Sequence, residues 1–440
     1  MNSNIKLIKS GENYCIFNID NFQLFRILHY TYSVLSHFLE HGDKIATSQK
    51  FGIEIEEIDT LLESIGYKLT PKAFVDKVSY NAIDRITLHV SNDCNLRCKY
   101  CYAFGGAYGK HRELMSIDTA TRFVDYCCEN CGTIRNIVFF GGEPFLNFPI
   151  IEFVCKRFQD KFKNGEISYM PRFGAITNGT IMSRKIINII EKYFSFITVS
   201  IDGPKDINDI NRVTFSGHGS FERIKKFINR ISSIPSLKIN VEATYTKQHI
   251  EEGYSRKMIQ DYFFNEFKIK ADVVDEMALD NGENAISGLE THLDSPWFDS
   301  FLKTIINKRH ETKCSILRST FAVSSTGEIY PCHMNVGDGM HPVLSIWEKN
   351  IKLRDIIESD NSYALKNNEI CQECWANNIC GGCARLSFYD SEKKVYSHTP
   401  IKSRCEEFKN ILEKTLLKIC EVRTNPKLWN TLLARINNNK

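Results

Sequence analysis

The sequence predicts an α/β protein built around a partial (β/α)6 TIM-like barrel, with a small α+β unit before it and a cysteine-rich region after it. Between residues 81 and 285, six short apolar runs alternate with helical stretches, and that order produces parallel strands joined by right-handed crossovers. The cysteines then crowd into residues 311–406, where there is little periodic apolar pattern. The chain therefore divides into a region with a hydrophobic core and a region that needs another source of stability.

Residues 1–80 are predicted to form a winged-helix-like module. The predicted elements are a β-hairpin over residues 14–19 and 22–27 and helices over residues 30–39 and 53–65. Thr47 and Ser48 are candidate N-caps for a short helix between the two longer ones, because a hydroxyl can accept a hydrogen bond from a free amide at a helix start. A hairpin with two or three helices resembles a winged helix, for which DNA binding is the usual function.

The second long helix of this module argues against DNA binding. Its residues include Glu54, Glu56, Glu57, Asp59 and Glu63. Contacts to phosphates need Lys and Arg, so an acidic face is unsuited to a duplex. The exposed edge of a hairpin can instead accept an extended peptide as an added strand. We therefore expect the module to bind a peptide, and a purely structural N-terminal cap is the alternative.

The six apolar runs are predicted to be the barrel strands. They cover residues 86–90, 137–140, 173–176, 196–199, 239–243 and 269–274. In barrels of this kind, functional residues lie just after the carboxyl ends of the strands. Polar and glycine-containing motifs follow the first four runs, so we expect the site at that end. Glu242 and Asp272, on the fifth and sixth runs, are expected to face the barrel interior and are weak candidates for a general base.

The region after the barrel is predicted to have three parts. Residues 286–310 are polar and form a connection, residues 311–406 form a domain, and residues 407–440 form a terminal helix or two. In the middle part, cysteines lie among Gly and Asn, so bound metal must replace hydrophobic burial there. Cys420 in the terminal part is predicted to be a buried small apolar residue.

The composition limits the classes of function. The chain has 440 residues with 56 Lys and Arg against 53 Asp and Glu, a formal net charge of +3, so bulk charge does not favour a polyanionic partner. No apolar run reaches the roughly 18–20 residues of a transmembrane helix, and residues 1–11 lack the apolar core of a signal peptide. We therefore expect a cytoplasmic protein with neither nucleic acid nor membrane as partner. Thiols stay reduced in the cytoplasm, so the 16 cysteines indicate metal or redox chemistry.

Three cysteines directly follow the first predicted barrel strand. Cys94, Cys98 and Cys101 have the spacing CxxxCxxC, with the aromatic Tyr100 just before the third cysteine. Three thiolates can hold three irons of a 4Fe-4S cube and leave one iron open to a substrate. A structural zinc ion needs four ligands. The spacing also fits a zinc site that is completed from elsewhere in the chain, so both interpretations stay open on spacing alone.

This loop and three further motifs resemble the radical S-adenosylmethionine (SAM) superfamily. The further motifs are Gly141-Gly142-Glu143-Pro144 after the second predicted strand, Thr177-Asn178-Gly179 after the third and Ser200-Ile201-Asp202-Gly203 after the fourth. Each motif is weak alone, but their order after successive strands is hard to obtain by chance. The resemblance implies a 4Fe-4S cluster that binds SAM and cleaves it to methionine and a 5′-deoxyadenosyl radical. Such a radical removes hydrogen from unactivated C–H bonds, while the protein positions and shields it.

The resemblance also implies which residues contact SAM. The glycine-containing segment after the second strand receives the methionine amino group, since a carboxylate and backbone carbonyls suit an ammonium. The ends of the third and fourth strands contact the methionine and the ribose. Arg212 lies where related enzymes bind the SAM carboxylate, and the backbone of Tyr100 lies near the adenine. The implied SAM-binding residues are Tyr100, Gly141, Gly142, Glu143, Pro144, Thr177, Asn178, Ser200, Asp202 and Arg212.

The C-terminal cysteines resemble the SPASM domain, which carries two auxiliary iron–sulfur clusters in radical SAM enzymes that act on peptides and proteins. The implied ligand sets are Cys371, Cys374, Cys380 and Cys405 for one cluster and Cys314, Cys332 and Cys383 for the other. Together with the SAM-binding cluster, the chain is expected to hold three 4Fe-4S clusters.

The C-terminal spacing departs from the family pattern at one position. Two residues separate Cys380 from Cys383, where the family often has three. The three-thiolate set leaves one iron for a substrate thiolate or for another side chain such as His333, next to Cys332. A domain with two zinc ions is the alternative for the whole region.

The remaining cysteines give weaker signals. Cys127 and Cys131 share one face of a predicted helix, with Cys128 beside them. Burial as small apolar groups is favoured over a fourth cluster. Cys15 and Cys155 carry no signal.

The combination of these parts resembles maturases of ribosomally made peptides, in which a head module binds the leader of a precursor peptide. Residues 102–109, after the first cysteine motif, are also similar to that branch. Auxiliary clusters can accept an electron from a substrate radical, which fits oxidative bond formation. We therefore predict a radical SAM oxidoreductase that forms an intramolecular crosslink, with a Cys thioether favoured over a carbon–carbon bond between side chains.

The resemblance implies two partners and leaves other classes to be tested. The partners are a precursor peptide, whose leader binds residues 1–80, and an electron donor such as flavodoxin or ferredoxin. A protein maturase of the anaerobic sulfatase-activating type would not need the head module. A non-catalytic iron–sulfur scaffold or redox sensor would not cleave SAM, and a DNA-binding regulator would bind duplexes through the head.

Overall fold

The computed structural model describes most of the chain. The described residues are 2–70, 82–275, 293, 296–308, 319–337, 341–349, 351, 353, 355, 369–380, 389–390, 395–397 and 399–437. The predictions for Cys314 and Cys383 therefore lie outside the described residues.

The N-terminal part of the chain is a three-stranded antiparallel sheet followed by three helices. Its elements are β1 (Asn2–Ser3), β2 (Ile5–Ser10), β3 (Asn13–Asn18), β4 (Leu24–Ile27), α1 (His29–His41), α2 (Lys44–Phe51), α3 (Ile55–Ser64) and β5 (Leu69–Thr70). The sheet order is β2-β3-β4, and β1 pairs with β5. The predicted hairpin is β3–β4 and is confirmed, with Tyr14 opposite Ile27. Strand β2 is not among the predicted elements, because its buried Ile5 and Ile8 are three residues apart, with half-buried Lys6 and Leu7 between them, and do not alternate.

The short helix α2 begins before the residues predicted to cap it. Thr47 and Ser48 lie inside α2, so that prediction is wrong. The N-cap is Asp43, whose carboxylate accepts hydrogen bonds from the amides of Ile45 at 2.8 Å and Ala46 at 3.0 Å. The negative charge of a carboxylate also interacts favourably with the helix dipole at this end, which a hydroxyl does not. The hydroxyl of Thr47 instead donates to the carbonyl of Asp43 at 2.7 Å.

The central part of the chain contains six parallel strands with helices between them. Its elements in chain order are β6 (Ala82–Ile83), β7 (Arg85–Ser91), α4 (Ile117–Asn130), β8 (Thr133–Ile134), β9 (Asn136–Gly141), a 3-10 turn (Pro144–Asn147), α5 (Phe148–Lys163), β10 (Arg172–Thr177), α6 (Arg184–Tyr193), β11 (Phe194–Ser200), α7 (Lys205–Asn211), α8 (Phe221–Ile231), β12 (Lys238–Tyr245), α9 (Lys247–Glu251), α10 (Arg256–Phe267) and β13 (Ala271–Asp275). Strands β7, β9, β10, β11, β12 and β13 are neighbours in that order and pair in parallel. The six predicted barrel strands are thus confirmed.

The central sheet continues beyond β7 and is open at its other edge. The added elements are α11 (Pro296–Asn307), β14 (Thr320–Val323), β15 (Glu328–Tyr330) and β16 (Leu344–Ser345). Strand β14 pairs in parallel with β7, and β15 and β16 follow as antiparallel strands. Within the described residues, β13 pairs only with β12, so the nine-stranded sheet is a partial barrel. The predicted connection over residues 286–310 contains a helix, α11, that the sequence did not indicate.

The last part of the chain ends in two long helices. The described elements are α12 (Glu369–Gln372), β17 (Tyr389–Asp390), β18 (Val395–Tyr396), α13 (Lys402–Arg423) and α14 (Pro426–Asn437). The predicted terminal helices are confirmed, and α13 begins early enough to include Cys405. Neither these helices nor any other described helix combines the length and the apolar character that crossing a bilayer requires.

Barrel strands send alternate side chains outward, beneath the helices, and inward. In β7, Ile86, Leu88 and Val90 are fully buried in the outer core, so Thr87 and His89 face the interior. Burying one such aliphatic side chain contributes about 1.5–3 kcal/mol. A shift of one residue would exchange the two faces, so this burial also sets the register that places the strand ends.

The N-terminal sheet is covered on both faces. Helices α1 and α3 cover one face, where Ile16 is buried with Leu35 and Ile58. Helix α13 covers the other face, where Phe17 is buried with Leu416. The N-terminal part of the chain is therefore packed against its C-terminal helix.

Candidate functional site

The CxxxCxxC motif lies on one loop, the cysteine loop, directly after β7. Backbone hydrogen bonds to the segment after α7 hold this loop. The amide of Arg97 donates to the carbonyl of Val213 at 2.7 Å, and the amide of Lys99 donates to the carbonyl of Asn211 at 3.0 Å. These two bonds use backbone atoms only, and the side chain of Arg97 adds bonds from its Nη1 to the carbonyls of Cys94 and Leu96, both at 2.6 Å.

Two thiols of the cysteine loop, those of Cys94 and Cys98, are poor nucleophiles and poor ligands until a positive charge joins them. Burial and, to a smaller extent, the charge of Glu143 raise the pKa of Cys94 to about 12. Burial raises the pKa of Cys98 to about 11, although Arg212 opposes the rise. A bound metal centre supplies the missing positive charge and converts such thiols to thiolates.

The two kinds of metal centre that the spacing left open differ in how their ligands are placed. A zinc ion gathers four ligands at about 2.0–2.3 Å from a single centre. In an iron–sulfur cluster, each thiolate binds a different iron, so the ligands stay apart. Within the part of the chain that the structure describes, no group of three or more His, Cys, Asp or Glu side chains converges on one metal ion. This arrangement is compatible with the separate ligand positions of an iron–sulfur cluster.

Gly141 and Gly142 bring the second motif against the cysteine loop. A Cβ on Gly142 would lie 2.3 Å from the carbonyl oxygen of Asp93, and a Cβ on Gly141, at φ +131°, would lie 2.1 Å from that of Ser91. The amides of Gly142 and Glu143 donate to these same two carbonyls at 2.9 and 2.8 Å. Only glycine permits backbone contact this close.

Glu143 is fully buried and joins the second motif to the third. Its carboxylate accepts hydrogen bonds from the hydroxyl of Thr177 and the amide of Asn178, both at 2.8 Å, and from the amide of Phe145 at 3.0 Å. Burial raises the pKa of Glu143, and these bonds oppose the rise. A carboxylate has about four acceptor positions, so little capacity is left for an ammonium. Pro144 follows and begins the 3-10 turn that leads into α5.

Tyr100, Asp202 and Arg212 form one buried network. The hydroxyl of Tyr100 donates to the Asp202 carboxylate at 2.9 Å, and Nη1 of Arg212 donates to that hydroxyl at 2.5 Å. Burial raises the pKa of Asp202, and the charge of Arg212, 3.7 Å away, opposes this. The buried Nε of Arg212 has no hydrogen-bond partner among the described residues. A buried donor without a partner suits an anionic ligand such as a carboxylate.

Two parts of this network were missed by sequence reasoning. The resemblance assigned a role only to the backbone of Tyr100, whereas the structure also uses its side chain. His249 is fully buried, and its Nε2 lies 2.9 Å from the carbonyl oxygen of Asp202. Its Nδ1 accepts a hydrogen bond from the amide of Thr246 at 3.0 Å, which fixes the orientation of the ring. No spacing in the sequence marks these contacts, since they join segments far apart in the chain.

The fourth motif ends β11 beside two interior carboxylates. Ser200 pairs in register with Glu242 of β12, which pairs with Asp272 of β13. Val241 and Ala243 belong to the outer core, so Glu242 faces the interior as predicted. Burial raises the pKa of Glu242, and Asp272 raises it further.

Four of the C-terminal cysteines lie close together. Cys371 is in α12, and its carbonyl accepts from the amide of Cys374 at 3.2 Å. Cys380 follows, and Cys405 lies in the first turn of α13. Burial, with the other three thiols as smaller causes, raises the pKa of Cys405 to about 11. The structure thus brings together one implied ligand set, while the ligand role of each cysteine stays a prediction.

The described cysteine of the other set contacts the barrel. Sγ of Cys332 lies 3.7 Å from Nδ1 of His333, whose ring lies 5.1 Å from that of Phe140. Phe140 is the residue before the second motif. The C-terminal region therefore meets the barrel at the edge of the candidate site. Cys314 and Cys383, the other members of this set, lie outside the described residues.

The cysteines without a predicted role are mainly buried. Cys127 is buried and hydrogen-bonded to Cys131, which confirms its prediction as a core residue. Cys155 is also in the core. Cys15 and Cys420 are buried and hydrogen-bonded to each other, so they join β3 to α13. No pattern in the sequence indicates this contact.

Two family models match the chain and define its class. The model of the radical SAM superfamily matches residues 88–241, from β7 into β12. The SPASM model, an iron–sulfur cluster-binding domain, matches residues 314–375. The protein is an enzyme of the radical SAM/SPASM type, as the motifs predicted.

Three known proteins illustrate the range of this class. A cysteine-type anaerobic sulfatase-maturating enzyme of Clostridium perfringens is 21% identical over 383 residues, which cover 77% of this chain and 97% of that protein. The radical SAM cyclopropyl synthase TigE of Paramaledivibacter caminithermalis is 26% identical over 424 residues, which cover 87% of this chain and 82% of that protein. The solved structure of native anSMEcpe with bound AdoMet and Cp18Cys peptide has a TM-score of 0.58 at 20% identity, covering 81% of this chain and all of that one. At this identity the structural likeness shows a common fold.

Proposed function

We propose that this enzyme modifies a ribosomally made precursor peptide and forms an intramolecular crosslink in it, with a thioether from a Cys sulfur as the favoured bond. The observation that supports this most is the contact between the C-terminal cysteine region and the barrel. Cys332 adjoins His333, which packs on the barrel one residue before the second motif. An oxidant at that position is well placed to take an electron from a peptide radical formed in the barrel.

The residues of the candidate site fit SAM and its cluster. Cys94, Cys98 and Cys101 would bind the cluster, and the free Nε of Arg212 would bind the SAM carboxylate. The other predicted contacts, at the ends of β9, β10 and β11, surround the same loop. When bound, the cluster supplies the electron that cleaves SAM, and the resulting 5′-deoxyadenosyl radical abstracts hydrogen from the peptide. The chain orients SAM and keeps water out of the barrel.

Thioether formation removes two hydrogens from the peptide, and the proposed sites account for both. One leaves the carbon as a hydrogen atom, taken by the radical. The other leaves the Cys thiol as a proton, and one electron must then leave the substrate. We propose that residues 311–406 hold two auxiliary clusters, for three in total, and that one of them accepts this electron. Their ligands are the two predicted cysteine sets, with His333 available to complete the second.

The N-terminal part of the chain suits recognition of the leader. One face of its sheet is covered by α13 and the other by α1 and α3, but β4 is a sheet edge. Directly after β4, Leu28 is 77% exposed and Tyr30 is 53% exposed. An extended peptide can pair with the edge of β4 and cover these side chains.

The remaining parts of the proposal concern organisation and location. The proposed domains are residues 1–80 for leader binding, 81–285 for the barrel, 286–310 as a connection, 311–406 for the auxiliary clusters and 407–440 as terminal helices. We place the enzyme in the cytoplasm, where thiols stay reduced. A flavodoxin or a ferredoxin would supply the electron.

Anaerobic co-expression with the short peptide encoded beside this enzyme tests the function. Mass spectrometry should show the loss of two hydrogens per ring and of one alkylatable thiol per ring. Cys98→Ala should abolish the product, while Cys128→Ala, outside the implied ligand sets, should not. A product that loses two hydrogens without losing an alkylatable thiol would replace the thioether with a carbon–carbon bond.

Maturation of a sulfatase is the second candidate, because the sulfatase-maturating relative is covered almost in full. Leu28→Asp separates the two functions, since it adds a charge beside the β4 edge without disturbing the core. Leader recognition predicts a raised KM for the precursor peptide and unchanged SAM cleavage without peptide. An unchanged KM, with turnover of a sulfatase-derived Cys peptide, would favour the second candidate.

A further inference from the structure

Two strongly exposed phenylalanines flank the cysteine loop. Phe215 is 83% exposed, and its neighbour Thr214 forms a β-bridge with Leu96 of the cysteine loop. Phe104 is 63% exposed, follows Cys101 by three residues and has a left-handed backbone, with φ +50°. Exposure of both rings to water is unfavourable, and the left-handed backbone of Phe104 is sterically strained. Such features together mark an interaction surface.

Arg97 joins the two phenylalanines into one surface. Its guanidinium lies 5.4 Å from the ring of Phe215. Its Cδ lies 3.1 Å from the position of a Cβ on Gly105, the residue after Phe104. We call Arg97, Lys99, Phe104 and Phe215 the cluster-side surface.

The cluster-side surface is positively charged. Lys99 is exposed, and no ion pair between described residues involves Lys99 or Arg97. Next to them, Arg112 forms an ion pair with Asp93 and lies 3.4 Å from the carbonyl of Gly105. The summed charge of these groups is positive, so the surface attracts an acidic partner and orients it during approach.

This surface lies on and beside the loop that carries the candidate cluster ligands. Lys99 lies between Cys98 and Tyr100, and Phe104 follows Cys101 by three residues. Cys98 and Cys101 are partly exposed, so an electron that reaches this surface arrives next to the candidate cluster site.

We propose that the cluster-side surface docks an acidic one-electron carrier protein, an inference that rests on the proposed function. In each turnover, the reduced carrier loses one electron, which is used to break one C–S bond of SAM. The sulfur of methionine keeps an electron pair, and the carbon fragment keeps one unpaired electron, so the electrons balance. Redox partners of this kind form small, transient interfaces, which suits a surface built of two rings and two cations.

Binding of an acidic flavodoxin carrying FMN, measured with the purified enzyme in the absence of SAM and peptide, tests the proposal directly. Lys99→Glu should raise the Kd about 10-fold, and Phe215→Ala about 5-fold, because charges and aromatic anchors dominate such interfaces. Phe104→Gly should also raise the Kd, and glycine relieves the left-handed strain, so folding is not at risk. Added salt should weaken binding. The matched control is Phe264→Ala, which removes a 52% exposed ring on α10.

SAM cleavage without peptide provides the second measurement and separates this proposal from the proposed function. The variants should raise the KM for flavodoxin but leave cleavage driven by dithionite unchanged, since that small reductant needs no docking surface. An unchanged Kd for flavodoxin overturns the proposal. A variant that raises the Kd for the precursor peptide but not the Kd for flavodoxin also overturns it. So does an equal loss of SAM cleavage with flavodoxin and with dithionite. Failure of the proposed function would appear instead as SAM cleavage without any crosslinked peptide.

Discussion

The cysteine loop and the C-terminal cysteine region differ in what supports them. The cysteine loop follows a strand of the nine-stranded sheet, and backbone bonds and glycine contacts hold it from two sides. In the C-terminal region, α12 has four residues and no buried side chain, and β17 and β18 have two residues each. Elements this short do not form a core of their own, and the described buried apolar residues that follow α12, Ala376 and Ile379, pack into a cluster with α11 and α13.

This difference separates two ways of building a metal site. The barrel can shape the cysteine loop before metal binds, because its core is formed by residues far from the loop. We expect the C-terminal region to depend more strongly on metal for its fold, as small metal-binding domains do. Loss of metal should therefore remove a cofactor from one region and the structure from the other.

Removal of iron should have the largest effect. We expect a chelator, applied without air, to speed hydrogen exchange over residues 369–380 about 100-fold, a change of about 2.8 kcal/mol. Exchange in β10 and β11 should not change. Cys374→Ala should act like the chelator on residues 369–380, and Cys128→Ala is the control. Equal loss of protection in both regions would show that the barrel also depends on metal.

Gly142→Ala should have the next largest effect. It tests whether the barrel shapes the cysteine loop before metal binds. A Cβ there would lie 2.3 Å from the Asp93 carbonyl, so the free energy of unfolding should fall by about 3 kcal/mol. Urea denaturation of the metal-free enzyme measures this. Gly165→Ala is the matched control: its φ is +73° but nothing lies within 4 Å, so it should cost about 1 kcal/mol. A cost for Gly142→Ala no larger than that for Gly165→Ala would mean that the contact with the cysteine loop relaxes easily and does not hold the loop.

Arg212→Lys should affect ligand binding more than folding. Lysine keeps the positive charge beside Asp202 but lacks Nε and the planar fork. We expect the Kd for SAM, measured by calorimetry on the enzyme with its clusters, to rise about 10-fold, or about 1.4 kcal/mol. Arg230→Lys, at an exposed ion pair with Glu191, should leave that Kd unchanged. An unchanged Kd in Arg212→Lys would assign the arginine to the Tyr100–Asp202 network alone.

Asp272→Asn should have the smallest effect, on the pH dependence of stability. Burial and Asp272 raise the pKa of Glu242 in the folded protein, so the folded state holds a proton that the unfolded state has lost. The free energy of unfolding therefore falls as pH rises from the ordinary Glu pKa through the raised value. Asp272→Asn removes one cause, so its stability relative to the parent should increase over that pH range. Chemical denaturation at several pH values measures this, with Asp261→Asn on α10 as the control, and a difference that does not vary with pH would contradict the coupling.

The parts of the fold that could be predicted depend on local pattern. The barrel strands alternate with helices, and their outward residues are apolar, so periodicity was sufficient to find them. Strand β2 was not predicted because it contributes one buried residue to each face of its sheet, Ile5 to one and Ile8 to the other. Its apolar residues therefore do not alternate with polar ones. The cap of α2 was misplaced because Asp43 and Thr47 are both residues that can cap a helix, and sequence alone did not rank them.

The candidate site also has a part that local sequence patterns revealed and a part that they did not. The cysteine spacing and the strand-end motifs were visible because each is a short string. The Tyr100–Asp202–Arg212 network and the support of Asp202 by His249 were not, because each joins residues separated by tens of positions. The contact between Cys15 and Cys420 was missed for the same reason.

The sequence by itself determined the order of strands and helices, the class of enzyme and the cysteines that suit iron, since spacing and periodicity are properties of neighbouring residues. Only the tertiary structure decided that the buried Nε of Arg212 has no partner among the described residues. It also decided which face of the N-terminal sheet α13 covers and which rings are exposed beside the cysteine loop. Those features arise from burial and from contacts between distant segments, and packing alone brings such segments together.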